Sequence, residues 1–271
     1  MSIDVQNAEG LTYLSSLINN SVDLILTDPP YITSRKSGMD SHYNNVQNGT
    51  SSKTEEDWKE WVSGKTETYS TLQMENFLNY GTIYGKRYAV RTIYGEWDET
   101  FSMELLEQFI KLFYLKLRDG GTCIIFFDIW KITELKTILE KYKFKQIRFI
   151  EWVKTNPQPL NSKINYLTNC REIALTAVKK GKPTFNSSYD NGMYTFPIQG
   201  GKLRIHPTQK SLNLFKELVL KHSNEGDLIV DPFLGSGTTL FACMQTGRKF
   251  KGCELNLDFY GKIKQRLNAD K

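Results

Sequence analysis

The chain has 271 residues, of which 39% are hydrophobic and 24% are charged. These values exclude a disordered or fibrous chain, and no apolar run approaches the length that crosses a membrane. The formal net charge of +5 permits a nucleic-acid partner without demanding one, since local basic patches matter more than the total. The N-terminal residues do not resemble a signal peptide, and we therefore expect a cytoplasmic protein.

Short β-rich runs alternate with helical ones, which predicts an α/β fold that is doubly wound around a mainly parallel sheet. The predicted strands cover residues 23–27, 122–127, 146–153, 172–178, 228–230 and 248–253. The predicted helices begin after Ser102, near residue 131, after His206 and at residue 238. The turn Asp119-Gly120-Gly121 is predicted to lead into the second strand.

Two stretches interrupt this alternation and are predicted as inserted loops. Residues 32–96 are polar and turn-rich at first and then aromatic and basic. A connection of that length is usually functional or separately folded. Residues 155–204 hold many prolines, glycines and lysines around one predicted strand. Either stretch is suited to recognising a target or to forming a dimer.

The cysteines and histidines form no metal-binding motif. Cys123, Cys170, Cys243 and Cys253 lack CxxC spacing and lie in or near apolar stretches, which is typical of reduced core cysteines. The three histidines are far apart and match no zinc motif. We therefore predict no metal site.

Residues 227–254 combine a strand, a glycine-bearing turn, a helix and a second strand, as in nucleotide sites. The first strand runs into Asp231, and Gly235 and Gly237 let the backbone approach a ligand without a Cβ atom in the way. Glu254 ends the second strand, where its carboxylate is placed to accept both ribose hydroxyls of an adenosyl group. The GxGxxG fingerprint of dinucleotide sites is absent, and a bare strand-turn-helix with structural glycines is the alternative.

S-adenosylmethionine fits this segment because it carries no phosphate and needs no pyrophosphate cradle. Asp231 suits its positively charged ammonium group. Upstream of the strand, Thr208 either caps the preceding helix or faces the same pocket. Lys210 is either a ligand contact or a solvated surface lysine.

The tetrapeptide Asp28-Pro29-Pro30-Tyr31 directly follows a predicted strand, at the sheet edge where α/β ligand sites lie. Two successive prolines stiffen the turn and fix the directions of Asp28 and Tyr31. A carboxylate that accepts the protons of an exocyclic amine, helped by the Pro29 carbonyl, favours a pyramidal nitrogen with its lone pair exposed. Tyr31 offers a ring on which an extruded base stacks. Positioning and electrostatics then carry most of the rate.

These two motifs together resemble the amino-methylating DNA methyltransferases of restriction-modification systems. The tetrapeptide precedes the cofactor segment Asp231–Gly237, which matches the permuted β class of that family. The resemblance covers nearly the whole chain except roughly residues 36–94. Further matching segments are Gly95-Glu96-Trp97-Asp98, Trp152-Val153-Lys154-Thr155-Asn156-Pro157 and His206-Pro207-Thr208-Gln209-Lys210.

The resemblance implies one Rossmann-like methyltransferase domain over residues 1–271, which moves a methyl group from S-adenosylmethionine to adenine N6 of a flipped DNA base. An aspartate at position 28 is more usual in adenine enzymes, and serine in cytosine-N4 enzymes. The family often has an aspartate where this chain has Asn7, and an amide both accepts and donates. The residues implied to hold the base are Asp28, Pro29, Pro30 and Tyr31. Those implied to line the cofactor pocket are Asn7, Thr208, Lys210, Asp231, Phe233, Gly235, Ser236, Gly237, Thr238 and Glu254.

The family reads DNA sequence with a region between the two motifs, and the two inserted stretches qualify. The basic residues predicted to meet phosphates or guanines are Arg35, Lys36, Arg87, Arg91, Lys163, Lys202 and Arg204. Each is otherwise a solvated surface cation. The resemblance leaves open a homodimer and a cognate restriction endonuclease that acts on the same site without contact.

Four other functions compete with this prediction. The acceptor is alternatively cytosine N4, or RNA. Protein glutamine methyltransferases begin the tetrapeptide with asparagine and place the cofactor motif first, so Asp28 and the motif order argue against them. A catalytically silent DNA-binding subunit is the alternative outside the enzyme class, and the intact motif residues argue against it.

Overall fold

The computed structural model of the chain describes residues 2–32, 52–84, 101–157, 169–200 and 209–269. The chain divides into two compact units. The first unit comprises Met1–Ile32 and Phe101–Lys271, and the second comprises Thr33–Thr100. The second unit coincides closely with the predicted insertion at 32–96, whose role in recognition or dimerisation stays a prediction.

An eight-stranded sheet forms the centre of the first unit. Its strands are β1 (Ile3–Asn7), β2 (Val22–Thr27), β3 (Leu117–Phe127), β4 (Lys145–Lys154), β5 (Arg171–Val178), β6 (Met193–Phe196), β7 (Leu228–Asp231) and β8 (Lys249–Glu254). Their spatial order is β1-β8-β7-β2-β3-β5-β4-β6. Among these strands β5 alone runs antiparallel to its neighbours. The predicted mainly parallel sheet is confirmed.

Helices cover both faces of this sheet. The helices of the first unit are α1 (Gly10–Ser16), α4 (Met103–Lys116), α5 (Ile132–Lys141), α6 (Leu212–His222), α7 (Thr238–Thr246) and α8 (Leu257–Ala269), and those of the second unit are α2 (Glu55–Val62) and α3 (Thr71–Tyr80). Buried residues of α1, α4 and α5 share one core with the sheet, and those of α6, α7 and α8 share a second core. The chain is therefore doubly wound, as predicted.

Strand β2 shows why the core strands read as continuous apolar runs. Ile25 faces the first core, whereas Leu24 and Leu26 face the second. Since both faces of a sandwiched parallel strand are buried, polar alternation is lost. Ser102 caps α4 as predicted, because its hydroxyl accepts a hydrogen bond from the Leu105 N–H at 3.2 Å.

Strands β7 and β2 are adjacent in the sheet, and the chain segments that follow them lead to opposite sides of it. After β7 the chain turns through α7 to β8 on one side, and after β2 it reaches β3 on the other. Such a point, where the strand order reverses, opens a crevice at the carboxyl ends of the strands. Asp231 ends β7, and Asp28 directly follows β2.

Several predicted elements need correction. The turn at 119–121 lies inside β3 as a bulge, since the pairing with β2 jumps from Val22–Leu117 to Leu24–Thr122. Gly120 takes a φ of +78°, and its N–H donates to the carbonyl of Lys179 at 2.7 Å. The stretch 155–204, predicted to hold one strand, also contains β6. The stretch 32–96, predicted as a loop, contains α2 and α3.

The second unit has its own small aromatic core. Trp58 and Trp61 stack at 5.4 Å between ring centroids, and Phe77 lies 5.3 and 5.2 Å from these two rings. Capping boxes start both helices, with Thr54 at α2 and Ser70 at α3. Trp58 and Trp61, which belong to the aromatic and basic part of the predicted insertion, therefore pack this unit.

Three cysteines, Cys123, Cys243 and Cys253, are buried, and Cys170 is partly buried. All four are free thiols. In the ranges that the structure describes, no helix is both long enough and apolar enough to cross a membrane.

Candidate active site

Asp28 occupies the carboxyl edge of β2 with its two oxygens in different environments. Oδ2 lies 2.8 Å from the Lys210 ammonium nitrogen. Oδ1 is buried and has no hydrogen-bond partner in the described part of the chain. Pro29, the next residue, is buried. A buried acceptor without a partner is unfavourable in a folded protein unless a ligand or water satisfies it.

Lys210 lies at the centre of the site, with only 6% of its side chain exposed. Its ammonium contacts Glu172 Oε2 at 2.5 Å and the Tyr31 hydroxyl at 3.2 Å, in addition to Asp28. Tyr31 in turn donates its hydroxyl proton to Glu172 at 3.3 Å. Lys154, at the end of β4, binds the other Glu172 oxygen at 2.6 Å. We call Lys154, Glu172, Lys210 and Asp28 the charged cluster.

The charged cluster gives its two carboxylates opposite pKa shifts. Burial raises the pKa of Asp28 to about 6, although the Lys210 ammonium opposes the shift. Burial also disfavours the charged form of Glu172, but the ammonium groups of Lys210 and Lys154 outweigh it and lower the pKa of Glu172 to about 2. Burial raises the pKa of Tyr31, whereas the adjacent carboxylates of Asp28 and Glu172 raise that of Lys210 against the effect of burial. At neutral pH the cluster therefore holds two ammonium ions and two carboxylates.

Asp231 organises the neighbouring strand end from a buried position. Its oxygens accept hydrogen bonds from the Thr27 hydroxyl at 2.7 Å, the Thr239 hydroxyl at 2.6 Å and the Phe233 N–H at 3.0 Å. Burial raises the pKa of Asp231 to about 6 in spite of these three donors. The Thr27 bond ties β7 to β2, which brings the two motifs to one place.

Glu254 binds the glycine-bearing turn between β7 and α7, which we call the glycine turn. Its Oε2 accepts the Gly235 N–H at 2.6 Å and its Oε1 accepts the Asn256 N–H at 2.7 Å. Since a carboxylate oxygen has two lone pairs, each oxygen retains one acceptor position. Burial raises the pKa of Glu254. Asn7 donates from Nδ2 to the Glu254 carbonyl at 2.8 Å, which joins the ends of β1 and β8.

The turn between β7 and α7 needs its glycines for conformation. Gly235 and Gly237 take φ values of +54° and +82°, which other residues rarely adopt. Gly237 is the N-cap of α7, and Ser236 and Thr238 share a hydroxyl hydrogen bond at 3.1 Å. Beyond the turn, the Phe233 ring packs 4.5 Å from Phe109.

The predicted residues therefore fall into two adjacent groups at one sheet edge. The tetrapeptide residues and Lys210 form the first group, and the residues of the glycine turn form the second with Glu254 and Asn7. The sequence placed Lys210 with the cofactor residues, but its described contacts are with Asp28, Glu172 and Tyr31. Its reading as a solvated surface lysine is wrong, since its side chain is buried.

Other predicted residues lie outside the described ranges, and so do the matching segments 95–98 and 206–208. The helix α6 begins at Leu212 with Ser211 as its N-cap, so Thr208 is not the cap that the sequence suggested. The predicted site residues outside the described ranges are Thr208, Arg35, Lys36, Arg87, Arg91, Lys163, Lys202 and Arg204.

Sequence reasoning missed Glu172 and the contact that Lys154 makes with it. Lys154 belongs to one of the matching segments, and Glu172 is the first residue of the predicted strand 172–178. A charged residue that opens an otherwise apolar strand was the available signal.

Comparison with known proteins defines the class. Residues 22–265 match the family model for N6 and N4 methyltransferases, described as DNA methylase. A type II methyltransferase of Lactococcus lactis subsp. cremoris, M2.LlaDCHI, is 32% identical over 193 residues, which cover 64% of this chain and 71% of that protein. The chain therefore belongs to the DNA methylase family, and the predicted enzyme class is confirmed.

Similarity extends along the whole chain in two further relatives. The type II methyltransferase M2.MboI of Moraxella bovis is 27% identical over 289 residues, covering 98% of this chain and 88% of that protein. The crystal structure of an M1.HpyAVI–SAM complex superimposes with a TM-score of 0.62 at 25% identity, covering 97% of this chain and 99% of that one. The methyltransferase fold predicted from the sequence is thereby confirmed.

Proposed function

We propose that the protein transfers the methyl group of S-adenosylmethionine to N6 of an adenine flipped out of DNA. The observation that carries this proposal is the buried Oδ1 of Asp28 beside the end of β7, which has no hydrogen-bond partner among the described residues. Family membership supplies the reaction class. The charged cluster supplies the reason why one carboxylate oxygen is left for a substrate.

Asp28 is proposed to hold the target amine. Lys210 anchors Oδ2, and Oδ1 then accepts one amino proton of the base, which turns the nitrogen lone pair away from the ring. With a pKa of about 6, Asp28 is ionised at neutral pH and is therefore a charged acceptor. The same value suits it to take the proton that nitrogen loses after methylation and to release it to solvent.

Tyr31 and the stiff proline pair are proposed to position the flipped base. The hydroxyl of Tyr31 is fixed by Lys210 and Glu172, so its ring is oriented before any base arrives. Stacking on such a ring is worth about 1–3 kcal/mol per base.

The residues of the glycine turn fit an adenosyl group. Glu254 retains two acceptor positions for ribose hydroxyls, and open space surrounds the Cα of Gly235, where the nearest atom to an added Cβ is 4.0 Å away. Asp231 adds a buried negative charge that favours a cationic ligand. When bound, S-adenosylmethionine supplies an electrophilic methyl group on a sulfonium, whose departure leaves a neutral thioether.

Adenine is proposed over cytosine because an aspartate leads the tetrapeptide. The matching family contains both N6 and N4 enzymes, so N4 of cytosine is the alternative acceptor. We further propose that the enzyme acts in the cytoplasm within a restriction-modification system, as the type II relatives suggest. The homodimer stays a prediction.

Transfer of labelled methyl from S-adenosylmethionine to unmethylated genomic DNA tests this proposal, with nucleoside digestion and mass spectrometry as the readout. We expect N6-methyladenine. N4-methylcytosine would overturn the base assignment but keep the reaction. No label in duplex DNA, single-stranded DNA or RNA would overturn the proposal in favour of a silent DNA-binding subunit.

The variant Asp28→Ala separates catalysis from binding. We expect it to lose turnover and to keep S-adenosylmethionine binding in calorimetry. Asp119→Ala is the matched control, since 64% of the Asp119 side chain is exposed and we expect it to behave as wild type.

A further inference from the structure

Lys210 uses all three of its ammonium protons within the site. An ammonium group has three donors, and the described acceptors around Nζ are Asp28 Oδ2, Glu172 Oε2 and the Tyr31 hydroxyl. Three acceptors in three directions fix the position of the nitrogen. If Glu172 were absent, the ammonium would be free to turn toward both oxygens of Asp28.

Glu172 is itself fixed from its other side. Its Oε1 binds Lys154 at 2.6 Å, and 18% of its side chain is exposed. The members of the cluster come from separate segments, namely the end of β4, the start of β5, the chain before α6 and the end of β2. Because β5 runs antiparallel, its first residues lie at the edge where the parallel strands end, and Glu172 pairs with Trp152 there.

We infer that Glu172 is a positioning residue for the methyl transfer, which holds Lys210 so that Asp28 keeps one oxygen anchored and the other free for the amine. Lys154 completes this role by neutralising Glu172, so that the cluster carries no net charge. The inference rests on the proposed function, because it assigns a role in the same reaction.

The charges facing Asp28 give this arrangement an electrostatic signature. The groups that act on it directly are Lys210, Glu172, Asp231 and the Tyr31 hydroxyl, and Lys154 acts on it indirectly by neutralising Glu172. The Lys210 ammonium lowers the pKa of Asp28, whereas the negative charges of Glu172 and Asp231 raise it. Removing Glu172 therefore lowers that pKa, and removing the positive charge of Lys154 raises it.

The test measures kcat, KM and their pH profiles for Glu172→Gln, Lys154→Met and Glu172→Asp. For Glu172→Gln we expect kcat to fall about tenfold or more, as small misplacements in active sites do, and the acid limb of the profile to move to lower pH. For Lys154→Met the acid limb should move to higher pH. Glu172→Asp keeps the charge, so its limb should stay in place although kcat falls.

Opposite shifts of the acid limb in Glu172→Gln and Lys154→Met distinguish positioning through charge from a general loosening of the fold. Loosening would admit water to the site and would move the acid limbs of both variants in the same direction. Glu140→Gln, in the half-exposed Lys136–Glu140 pair, is the control and should leave kcat and the limb unchanged. Limbs that coincide with wild type in both Glu172→Gln and Lys154→Met, or that shift in one direction, would overturn the inference.

A second readout needs no turnover. In protein labelled with ¹³C at the aspartate carboxyl carbon, the Asp28 resonance is assigned by its loss in Asp28→Asn, and its titration midpoint is followed by NMR in each variant. We expect the same opposite displacements of the midpoint. If the wild type transfers no methyl group while the midpoints shift as expected, the proposed function is wrong, but the electrostatic coupling of Glu172 and Lys154 to Asp28 is confirmed. If wild type is active and the midpoints do not move, the inference alone fails.

Discussion

Replacing Lys210 by methionine should destabilise the protein strongly and in a pH-dependent way. Lys210 is 6% exposed and neutralises Asp28 at 2.8 Å and Glu172 at 2.5 Å. Removing one partner of a buried ion pair destabilises by about 3–5 kcal/mol. Glu172 keeps Lys154, so the loss falls mainly on Asp28, and we expect about 3 kcal/mol at pH 8.

The sign of the pH dependence follows from the pKa of Asp28. Burial raises that pKa from 3.8 to about 6, so ionised Asp28 opposes folding, and the stability from the protonated form is lost as pH rises through 6. Removing Lys210 raises the pKa further, because the ammonium lowers it. The penalty of Lys210→Met therefore grows above pH 6. At pH 5 Asp28 is mostly protonated in both folded proteins, and much of the penalty should vanish.

Urea unfolding at pH 5 and pH 8, followed by circular dichroism, measures both values. Lys136→Met is the matched control, since it breaks the Lys136–Glu140 pair, whose side chains are 49% and 53% exposed. We expect that control to change the free energy of unfolding by less than about 0.5 kcal/mol at either pH. An equal loss for Lys210→Met at both pH values would refute the reasoning, as would a loss no larger than that of the control.

Three further variants test the fold and the cofactor side. Thr239→Val removes the hydroxyl that donates a hydrogen bond to the buried carboxylate of Asp231, and calorimetry should show that S-adenosylmethionine binds about tenfold more weakly. An unchanged affinity would contradict a role of Asp231 in binding the cofactor. Gly192→Ala places a Cβ 2.5 Å from a backbone oxygen, and its melting temperature should fall well below that of Gly226→Ala, which has equal φ strain but open space. Leu218→Ala in the core should lower the free energy of unfolding in urea by about 2–5 kcal/mol. Leu220 is 46% exposed, and Leu220→Ala should lower it by less than about 1 kcal/mol. Similar losses for the two variants would contradict the assignment of Leu218 to the core.

Elements with strong apolar patterns could be predicted from the sequence, and weakly patterned ones could not. The helix predicted from residue 238 to 246 is α7, and the strand predicted at 23–27 is β2. Helix α8 was missed because it is largely polar, contains Gly261 and fully buries only Ile263 among the side chains that the structure describes. Helix α1 was missed because it is short and its N-cap is Glu9, an unusual capping residue.

The candidate site divides in the same way. Asp28 and Asp231 could be placed together because both end predicted parallel strands, which meet at one edge of a sheet. Glu172 could not be placed there, because its position depends on β5 running against its neighbours, a direction that apolar patterning does not encode. The contacts of Lys210 with Asp28, Glu172 and Tyr31 could not be predicted for a related reason. Its partners lie far away in sequence, and spacing carries no information about such contacts.

Burial of charge alone does not mark the functional edge of this fold. Lys116 and Lys179 are also buried, but neutral oxygens satisfy them. Lys116 donates to the Leu17 carbonyl at 2.6 Å and to Asn19 Oδ1 at 2.8 Å, and Lys179 donates to the Leu117 carbonyl at 2.7 Å and to Asn20 Oδ1 at 2.6 Å. The Thr122 hydroxyl has no partner among the described residues, but it is neutral, and leaving it unpaired is less unfavourable than leaving a charge unpaired. Asp28 combines a charge with a buried oxygen that has no partner among the described residues, and under the proposed function the amino group of a base is the donor for that oxygen.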